Sequence, residues 1–567
     1  MKRCPECRRD YFDDSLQYCL EDGNTLIQGS VPSPDEPHTV ILHDTAAPSD
    51  AVTRAQINAT EETAVLPSRA VNVPKQDRAN KRWLFAALAF AIIAIGGIAG
   101  YRYFGSSSGT QINSIAVLPF ENRSGTTDSD YLSDGLAESL IYRLSQIPDI
   151  KVSPRSSVFR YKGQDVDAAK VGSDLGVDAV MSGRLVQRGD NLTISVDLVD
   201  VRNKKTLWGE QFDRKMSDLL ATQREIAAIV AQKLQPRLSG NETGLTKQYT
   251  NDNEAYQLYL KGRFYWNKRT PEGTEKAIEL FKAASEKDPN FALAYVGLAD
   301  SYLVSTYSTR GQDKDVVPLG AAYASRALNI DPSLAEANAS LGLANTYQWN
   351  WQEAEKYFKR SIEIDPNYAS ARHWYSRLLR TLGRNDEAFE QITLAKKADE
   401  LSVSISNNLA ENLFDRGDYT GAMEEARRGI AISPHWTAYR TLANCDLRLG
   451  QTDAALADAK KSVEAANGLP VALKVLGYVQ AQIGNRAEAL AIAKQIEASY
   501  AKGEIDGRDV AVVYAALGED DKAFEWLEKD FQNHNLQLTE LRMEIPFIPL
   551  RADSRFKDLL KRMNMPD

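Results

Sequence analysis

The sequence predicts a multidomain protein that combines a small cysteine knuckle, a single membrane-spanning helix, an α/β domain and an all-α helical-repeat solenoid. Three observations support this organisation: three cysteines within the first 19 residues, a long uncharged segment near position 90, and a 34-residue periodicity in the second half. At 567 residues the chain is also too long for one hydrophobic core.

Composition limits the classes of function. A formal net charge of -9 argues against nonspecific nucleic-acid binding, which depends on basic surface. The 43% of hydrophobic residues is typical of folded proteins, so disorder cannot dominate the chain. We therefore expect protein or peptide partners and no nucleic acid.

The first segment, residues 1–29, contains the cysteine cluster in "CPECRRDYFDDSLQYCLEDG". Three thiolates and one carboxylate at this spacing can surround a tetrahedral zinc ion. The stretch resembles a short bacterial zinc ribbon, which implies a structural zinc. A degenerate knuckle that folds poorly is the alternative, since three thiolates and a carboxylate bind zinc less strongly than four thiolates, and His38 or His43 of the linker could replace the carboxylate as ligand. The predicted ligands are Cys4, Cys7, Cys19 and Asp22.

Residues 30–82 are rich in Pro, Ser, Thr, Ala and Asp, which predicts a disordered linker. The next segment, residues 83–104, begins with the uncharged run from Trp83 to Tyr101 and is predicted to cross a membrane as one helix. Basic residues crowd its amino-terminal flank, whereas Arg102 stands alone on the other. The positive-inside rule then places the amino terminus in the cytoplasm and the later domains outside it.

Residues 112–238 alternate strand and helix patterns. "SIAVLPF" predicts a strand, "DYLSDGLAESLIYRLSQIP" an amphipathic helix, "IKVSPRSSV" a strand and "DVDAAKVGSDLG" a helix. Apolar and polar residues then alternate from "AVMSGRL" to "GEQFDR", which predicts a three-stranded antiparallel meander. A final helix, "MSDLLATQREIAAIVAQKL", completes an α/β domain.

Several of these segments resemble the TolB-like amino-terminal domain, namely "IAVLPFENRSG", "SSVFRYKG", "LGVDAVMSGRLVQRGDNLTISVDLVD" and "LWGEQFDR". That domain accompanies bacterial adenylate cyclases, serine/threonine kinases and winged-helix regulators, commonly just ahead of tetratricopeptide repeats. The resemblance implies no agreed catalytic residue, so none is assigned here.

Residues 253–535 repeat a helix-pair pattern, in which small residues are needed where two helices touch. After one step of 43 residues, the spacing of the small residues is 33 or 34. The pattern is identified as about eight tetratricopeptide repeats (TPR), and residues 536–567 resemble the helix that caps such arrays. The small residues are Ala277, Gly320, Ala354, Ala388, Ala422, Ala455, Ala489 and Ala523.

The first helix of each repeat lines the concave surface of such an array. The repeat register predicts a stripe there that is mainly basic, with Glu411 within it. Because Arg pairs geometrically with carboxylates, the stripe favours an acidic or C-terminal-carboxylate peptide, while an ordinary solvated face is the alternative. The predicted groove residues are His373, Arg377, Arg380, Asn407, Arg440, Asn444, Arg448, Lys474 and Tyr478.

Enzyme signatures are lacking: the sequence has no phosphate-binding glycine loop, zinc-protease helix or nucleophile elbow. Asp134 and Glu138 lie one helical turn apart, and we expect them on a solvated polar face. The sequence therefore predicts a non-enzymatic interaction scaffold in a bacterial inner membrane, with the TolB-like and TPR domains extracytoplasmic. The alternatives are a transmembrane signalling protein with a zinc-knuckle output, a nucleotide-dependent activity in the TolB-like domain, or the reverse topology.

Overall fold

The computed structural model describes residues 112–125, 129–147, 150–234, 247–305 and 313–566, together with three short strands near the start. The chain divides into two compact units, Met1–Gly97 and Ile98–Asp567. In the first unit, β1 pairs antiparallel with both β2 and β3. These strands are β1 Lys2–Arg3, β2 Asp10–Tyr11 and β3 Ile27–Gln28.

The predicted zinc ligands, the linker at 30–82 and the apolar segment at 83–104 all lie outside the described residues. The zinc ribbon and its metal therefore stay predictions. Within the part of the chain that is described, no group of His, Cys, Asp and Glu side chains is arranged to hold a metal ion.

The predicted location in a bacterial inner membrane is contradicted. Of the helices that the structure describes, none has both the length and the apolar content needed to cross a bilayer. A span requires about 20 predominantly apolar residues, whereas the longest of the described helices, Asp313–Ile330, has 18 residues and contains charged side chains. We correct that prediction here, and the extracytoplasmic assignment of the later domains falls with it.

The α/β domain is built on a mixed sheet with the strand order β6-β4-β7-β8-β9, and β5 pairs with β7 beside β4. β4 runs parallel to β6 and β7, while β7, β8 and β9 form the predicted antiparallel meander. The strands are β4 Ser114–Val117, β5 Glu121–Asn122, β6 Lys151–Val152, β7 Ala179–Arg188, β8 Asn191–Asp200 and β9 Lys205–Lys215.

Helices cover this sheet and end where the sequence indicates. The strand predicted over "IKVSPRSSV" ends at Val152. Pro154 is still extended but caps a short helix that begins at Arg155, so the rest of the segment is helical. Gly176 ends the third helix in a left-handed conformation, with φ 61°, which glycine adopts at little cost. The helices are α1 Asp130–Ser145, α2 Arg155–Val158, α3 Ala168–Leu175 and α4 Leu219–Leu234.

Eight helix pairs follow in the described residues, so the predicted α/β region and helical-repeat solenoid are confirmed as fold classes. The first helices of the pairs are α5 Asn253–Trp266, α7 Ala292–Ser305, α9 Ala335–Tyr347, α11 Ala369–Thr381, α13 Val403–Asp415, α15 Trp436–Arg448, α17 Leu473–Gln482 and α19 Gly507–Ala516. The second helices are α6 Pro271–Lys287, α8 Asp313–Ile330, α10 Trp351–Ile364, α12 Asn385–Ala398, α14 Tyr419–Ile432, α16 Thr452–Ala465, α18 Arg486–Ala501 and α20 Asp520–Gln532.

Small residues set the close approach of paired helices. Seven alanines of the predicted register, at 277, 354, 388, 422, 455, 489 and 523, are fully buried. The second helix supplies the large partner: a Cβ added at Gly342 in α9 would lie 2.6 Å from the Phe358 ring in α10. This packing repeats along the chain and orients the first helices alike.

The C-terminal segment, residues 533–566, is more irregular than one capping helix. It forms the 3₁₀ turns Leu536–Glu540, Ile545–Phe547 and Pro549–Ala552 before the helix α21 Ser554–Arg562. Its apolar side chains are buried, and Trp351 of α10 donates its indole N–H to the Met563 carbonyl at 2.9 Å. The segment therefore packs against the third repeat as well as the eighth. The buried side chains include Leu536, Leu538, Leu541, Phe547, Leu550 and Phe556.

The α/β domain and the first repeats share one continuous hydrophobic core, in which α1 packs against α5. Glu138 of α1 accepts hydrogen bonds from Arg263 Nε at 2.7 Å and from Asn267 Nδ2 at 2.9 Å. Asp134 is buried beside Lys162, whose Nζ lies 2.6 Å from its carboxylate. The expectation of a solvated polar face for Asp134 and Glu138 is therefore wrong, since this face of α1 joins two domains.

Candidate functional site

The concave surface of the central and C-terminal repeats encloses a cavity of about 600 Å³, which we call the groove cavity. The first helices α11, α13, α15, α17 and α19 line one side, and the C-terminal segment lines the other. Arg448 instead faces a neighbouring cleft. The predicted residues that the structure brings together here are His373, Arg377, Arg380, Asn407, Glu411, Arg440, Asn444, Lys474 and Tyr478.

The basic stripe is neutralised from within the same chain. Arg380, which is only 5% exposed, pairs with Glu411 at 2.6 Å and with Asp415 at 2.8 Å. Arg440 reaches the second oxygen of Glu411. Arg380 and Arg440 therefore already hold a carboxylate, which is how a buried charge avoids the cost of desolvation.

The C-terminal segment supplies further carboxylates to the same surface. Glu540 lies 2.6 Å from Arg377 and also accepts from Arg508, while Glu544 lies 2.9 Å from Lys474 Nζ. Asp509 approaches the same ammonium at 2.8 Å. Carboxylates of the chain itself thus occupy positions that the sequence predicted for those of an acidic peptide.

These contacts govern the protonation of the cavity. Burial alone would raise the pKa of Glu540, but the charges of Arg508 and Arg377 outweigh it and hold that pKa well below the usual 4.5. Burial, followed by the charge of Arg377, lowers the pKa of His373 to about 3. At neutral pH the cavity therefore presents a neutral imidazole among ion pairs, together with Arg269, which has no carboxylate partner among the described residues.

Two polar side chains of the cavity remain available. Neither the Asn444 amide nor the Tyr478 hydroxyl has a hydrogen-bond partner among the described residues. Trp436 also lines the cavity. Amide, phenol and indole groups of this kind can bind a peptide by hydrogen bonds and apolar contact, without net charge.

Sequence reasoning missed Arg508, Asp509, Glu540 and Glu544. A signal existed for the first, because the 34-residue step from Arg440 to Lys474 continues to position 508. The two glutamates lie in or next to 3₁₀ turns outside the repeat register, so no periodicity predicts their contacts.

Comparison with known proteins finds a family model that matches the α/β domain and curated relatives that match part of the chain. Residues 110–229 match the family described as HilA/YgeH-like transcriptional regulator, second domain. A putative adenylate cyclase 3 of Rhizobium meliloti is 30% identical over 244 residues, which cover 43% of this chain and 42% of that protein. The transcriptional regulator HilA of Salmonella typhimurium is 23% identical over 293 residues, covering 51% of each chain. The chain thus spans about half the length of these curated relatives.

The helical repeats have relatives of their own. Tetratricopeptide repeat protein 6 of Homo sapiens is 27% identical over 173 residues, which cover 30% of this chain and 32% of that protein. A crystal structure of a tetratricopeptide repeat protein from Parabacteroides merdae is similar over 44% of this chain and 93% of its own, with 17% identity and a TM-score of 0.33. Together with the helix pairs, the human relative supports the TPR-like solenoid predicted from the sequence.

Proposed function

We propose that this protein is a non-enzymatic interaction scaffold whose groove cavity binds a peptide segment of a partner protein. The observation that carries the proposal is the pair of unpartnered polar groups, on Asn444 and Tyr478, in a concave cavity built by five successive repeats. Repeat solenoids use concave surfaces of this kind to bind extended chains.

The ion pairs refine the ligand that the sequence suggested. Four cations of the cavity already contact carboxylates of the chain, namely Arg377, Arg380, Arg440 and Lys474. An acidic ligand would have to displace these carboxylates and leave them buried without a partner. A peptide in this cavity would instead use its backbone amides on Asn444 and Tyr478, with an apolar side chain near Trp436. Acidic residues of the partner are then optional.

The test obstructs the cavity without disturbing an ion pair. We expect Asn444→Trp in the full chain to weaken peptides selected from a display library by roughly tenfold or more, because the indole fills the space they need. Gln495→Trp, at an exposed amide on the second helix of a repeat, is the matched control and should bind as the wild type does. Equal affinity in all three proteins contradicts the proposal. Substituting Arg377 or Arg440 tests it poorly, since either change also breaks an ion pair.

A regulatory role is the second candidate, and the family match over residues 110–229 favours it. In this role, peptide binding in the solenoid would alter the α/β domain through the α1–α5 contact. Hydrogen exchange measured with and without a selected peptide distinguishes the two, because a scaffold alone leaves amide protection in α1 unchanged.

A further inference from the structure

A second cavity adjoins the groove cavity, and we call it the basic cleft. Its volume is about 920 Å³, and it lies between the turns after α11 and α13, the end of α15, and the C-terminal segment. This volume lies within the range of about 300 to 1,000 Å³ that is typical of small-molecule sites. Arg380, Phe414, Asp415, Met543 and Ile545 line both cavities.

Charge in the basic cleft is strongly one-sided. Asp415 supplies the single carboxylate of its lining and is already paired with Arg380. Arg416 is paired with Asp386. The six cations of the lining are Arg380, Arg416, Arg448, Arg542, Arg551 and Lys557.

Three of these cations differ from the paired cations of the groove cavity. Arg448, Arg551 and Lys557 form no ion pair with a carboxylate in the part of the chain that is described. In a protein with a net charge of -9, three such cations around one cavity create a local positive potential. Arg448 and Lys557 are positioned to meet an anion from outside the chain, and Arg551, which already donates one hydrogen bond to the Arg542 carbonyl, has further N–H groups to offer.

The remainder of the cleft is apolar. Phe556 and Leu560 of α21 contribute, as do Met543 and Ile545 of the turns before it. Ile548 is 43% exposed at the same place, although most large apolar side chains among the described residues are buried. Phe556 itself is buried, so the part of the wall that is open to solvent is formed by Ile548 with the partly exposed Met543, Ile545 and Leu560. Such a wall, beside cations that have no carboxylate partner, suits a ligand with one apolar and one charged surface.

We propose that the basic cleft binds a small organic anion, in which an apolar body carries a carboxylate or phosphate group. The body would lie on Leu560 and Ile548, and the anionic group would receive hydrogen bonds from Arg448, Arg551 and Lys557. Guanidinium groups offer paired donors that fit either oxyanion. This site is separate from the proposed peptide site, because these three cations line the basic cleft and do not line the groove cavity.

Calorimetric titration of the full chain with octanoate, octyl phosphate and 1-octanol tests the proposal. We expect saturable binding of at least one anion, and the two anionic arms show whether carboxylate or phosphate is preferred. The uncharged alcohol should bind at least roughly tenfold more weakly, since a hydrogen bond to a charged group is lost. Equal binding of octanol, or no saturable binding of either anion, overturns the proposal.

Variants locate the binding. Arg448→Gln with Lys557→Gln removes two cations that form no ion pair in the described chain, so the fold should be unaffected, and anion affinity should fall roughly tenfold or more. Lys460→Gln with Lys494→Gln, at exposed positions outside both cavities, is the matched control. Unchanged affinity in the first variant overturns the site. Asn444→Trp should leave anion binding intact, so failure of the peptide proposal and failure of this one are distinguishable.

Discussion

The carboxylate of Glu540 lies 2.6 Å from the guanidinium of Arg377, although 163 positions separate them in the chain. Arg508, of the eighth repeat, donates to the same carboxylate. One side chain of the C-terminal segment therefore ties the fourth repeat to the eighth. This link closes the concave surface on one side and leaves the groove cavity between repeats and C-terminal segment.

Replacing Glu540 with Gln should lower the free energy of unfolding by about 2–3 kcal/mol, because two partly or fully buried guanidinium groups lose their carboxylate. Chemical denaturation of the variant and the wild type measures the difference. Glu488→Gln, at an exposed position on α18, is the control and should cost little. Equal loss in both variants would show that Glu540 contributes no more than a surface carboxylate.

The same contact predicts an acid dependence. The folded protein holds the pKa of Glu540 below the unfolded value of 4.5, so its contribution is present above pH 4.5 and is lost as the pH falls below it. The gap in stability between the wild type and Glu540→Gln should therefore narrow steadily below pH 4.5. A gap that stays constant into acid contradicts the assigned cause.

Lys474→Met should destabilise the protein more strongly, by about 3–5 kcal/mol. The ammonium is 2% exposed and pairs with Asp509 and Glu544, so its removal leaves both buried carboxylates to share the guanidinium of Arg508. Lys494→Met is the matched control on an exposed position of α18. If both variants unfold at the same denaturant concentration, the buried ion-pair network does not stabilise this surface.

The repeats could be predicted because their contacts are local. Helices that touch within a pair are close in sequence, so the need for a small residue recurs every 34 positions and is visible at Ala354, Ala388 and Ala422. The groove residues followed from the same register, as His373 and Lys474 show. The partners of those residues did not follow, since Glu540 and Glu544 come from irregular turns that meet the groove only after the chain has folded back.

Gly342→Ala tests the packing on which that register depends. The added Cβ would lie 2.6 Å from the buried ring of Phe358, which fills the space between α9 and α10. We expect a loss of about 1–3 kcal/mol from overpacking, measured by denaturation. In a double-mutant cycle with Phe358→Leu, the second change should cost less in the alanine background, because the smaller side chain makes room. If the effects of the two substitutions on the unfolding free energy are strictly additive, the strain does not arise from contact between position 342 and Phe358.

His373→Gln should reduce the sensitivity of the fold to mild acid. The pKa of His373 is lowered to about 3 in the folded state, against 6.5 for an ordinary histidine. Between these values the unfolded chain binds a proton that the folded chain does not, so the wild type loses stability as the pH falls from 6.5. The variant should lose less over this interval and differ from the wild type by a constant amount above pH 7.5 or so. If the unfolding free energies of the two proteins change in parallel over the whole pH range, the prediction is wrong.

Glu138→Gln should loosen the junction between the α/β domain and the first repeat. The Glu138 carboxylate accepts hydrogen bonds from Arg263 and Asn267 and lies 3.3 Å from Arg155. A neutral amide at this position would leave the two arginines without their shared carboxylate. We expect faster hydrogen exchange in α1 and α5, with little change in α15 and α17. Glu279→Gln, on the exposed face of α6, is the control. Because the hydrophobic core continues across this junction, the two parts should still unfold together near neutral pH. Faster exchange spread evenly over all repeats would instead mean that Glu138 supports the whole unit and not this contact.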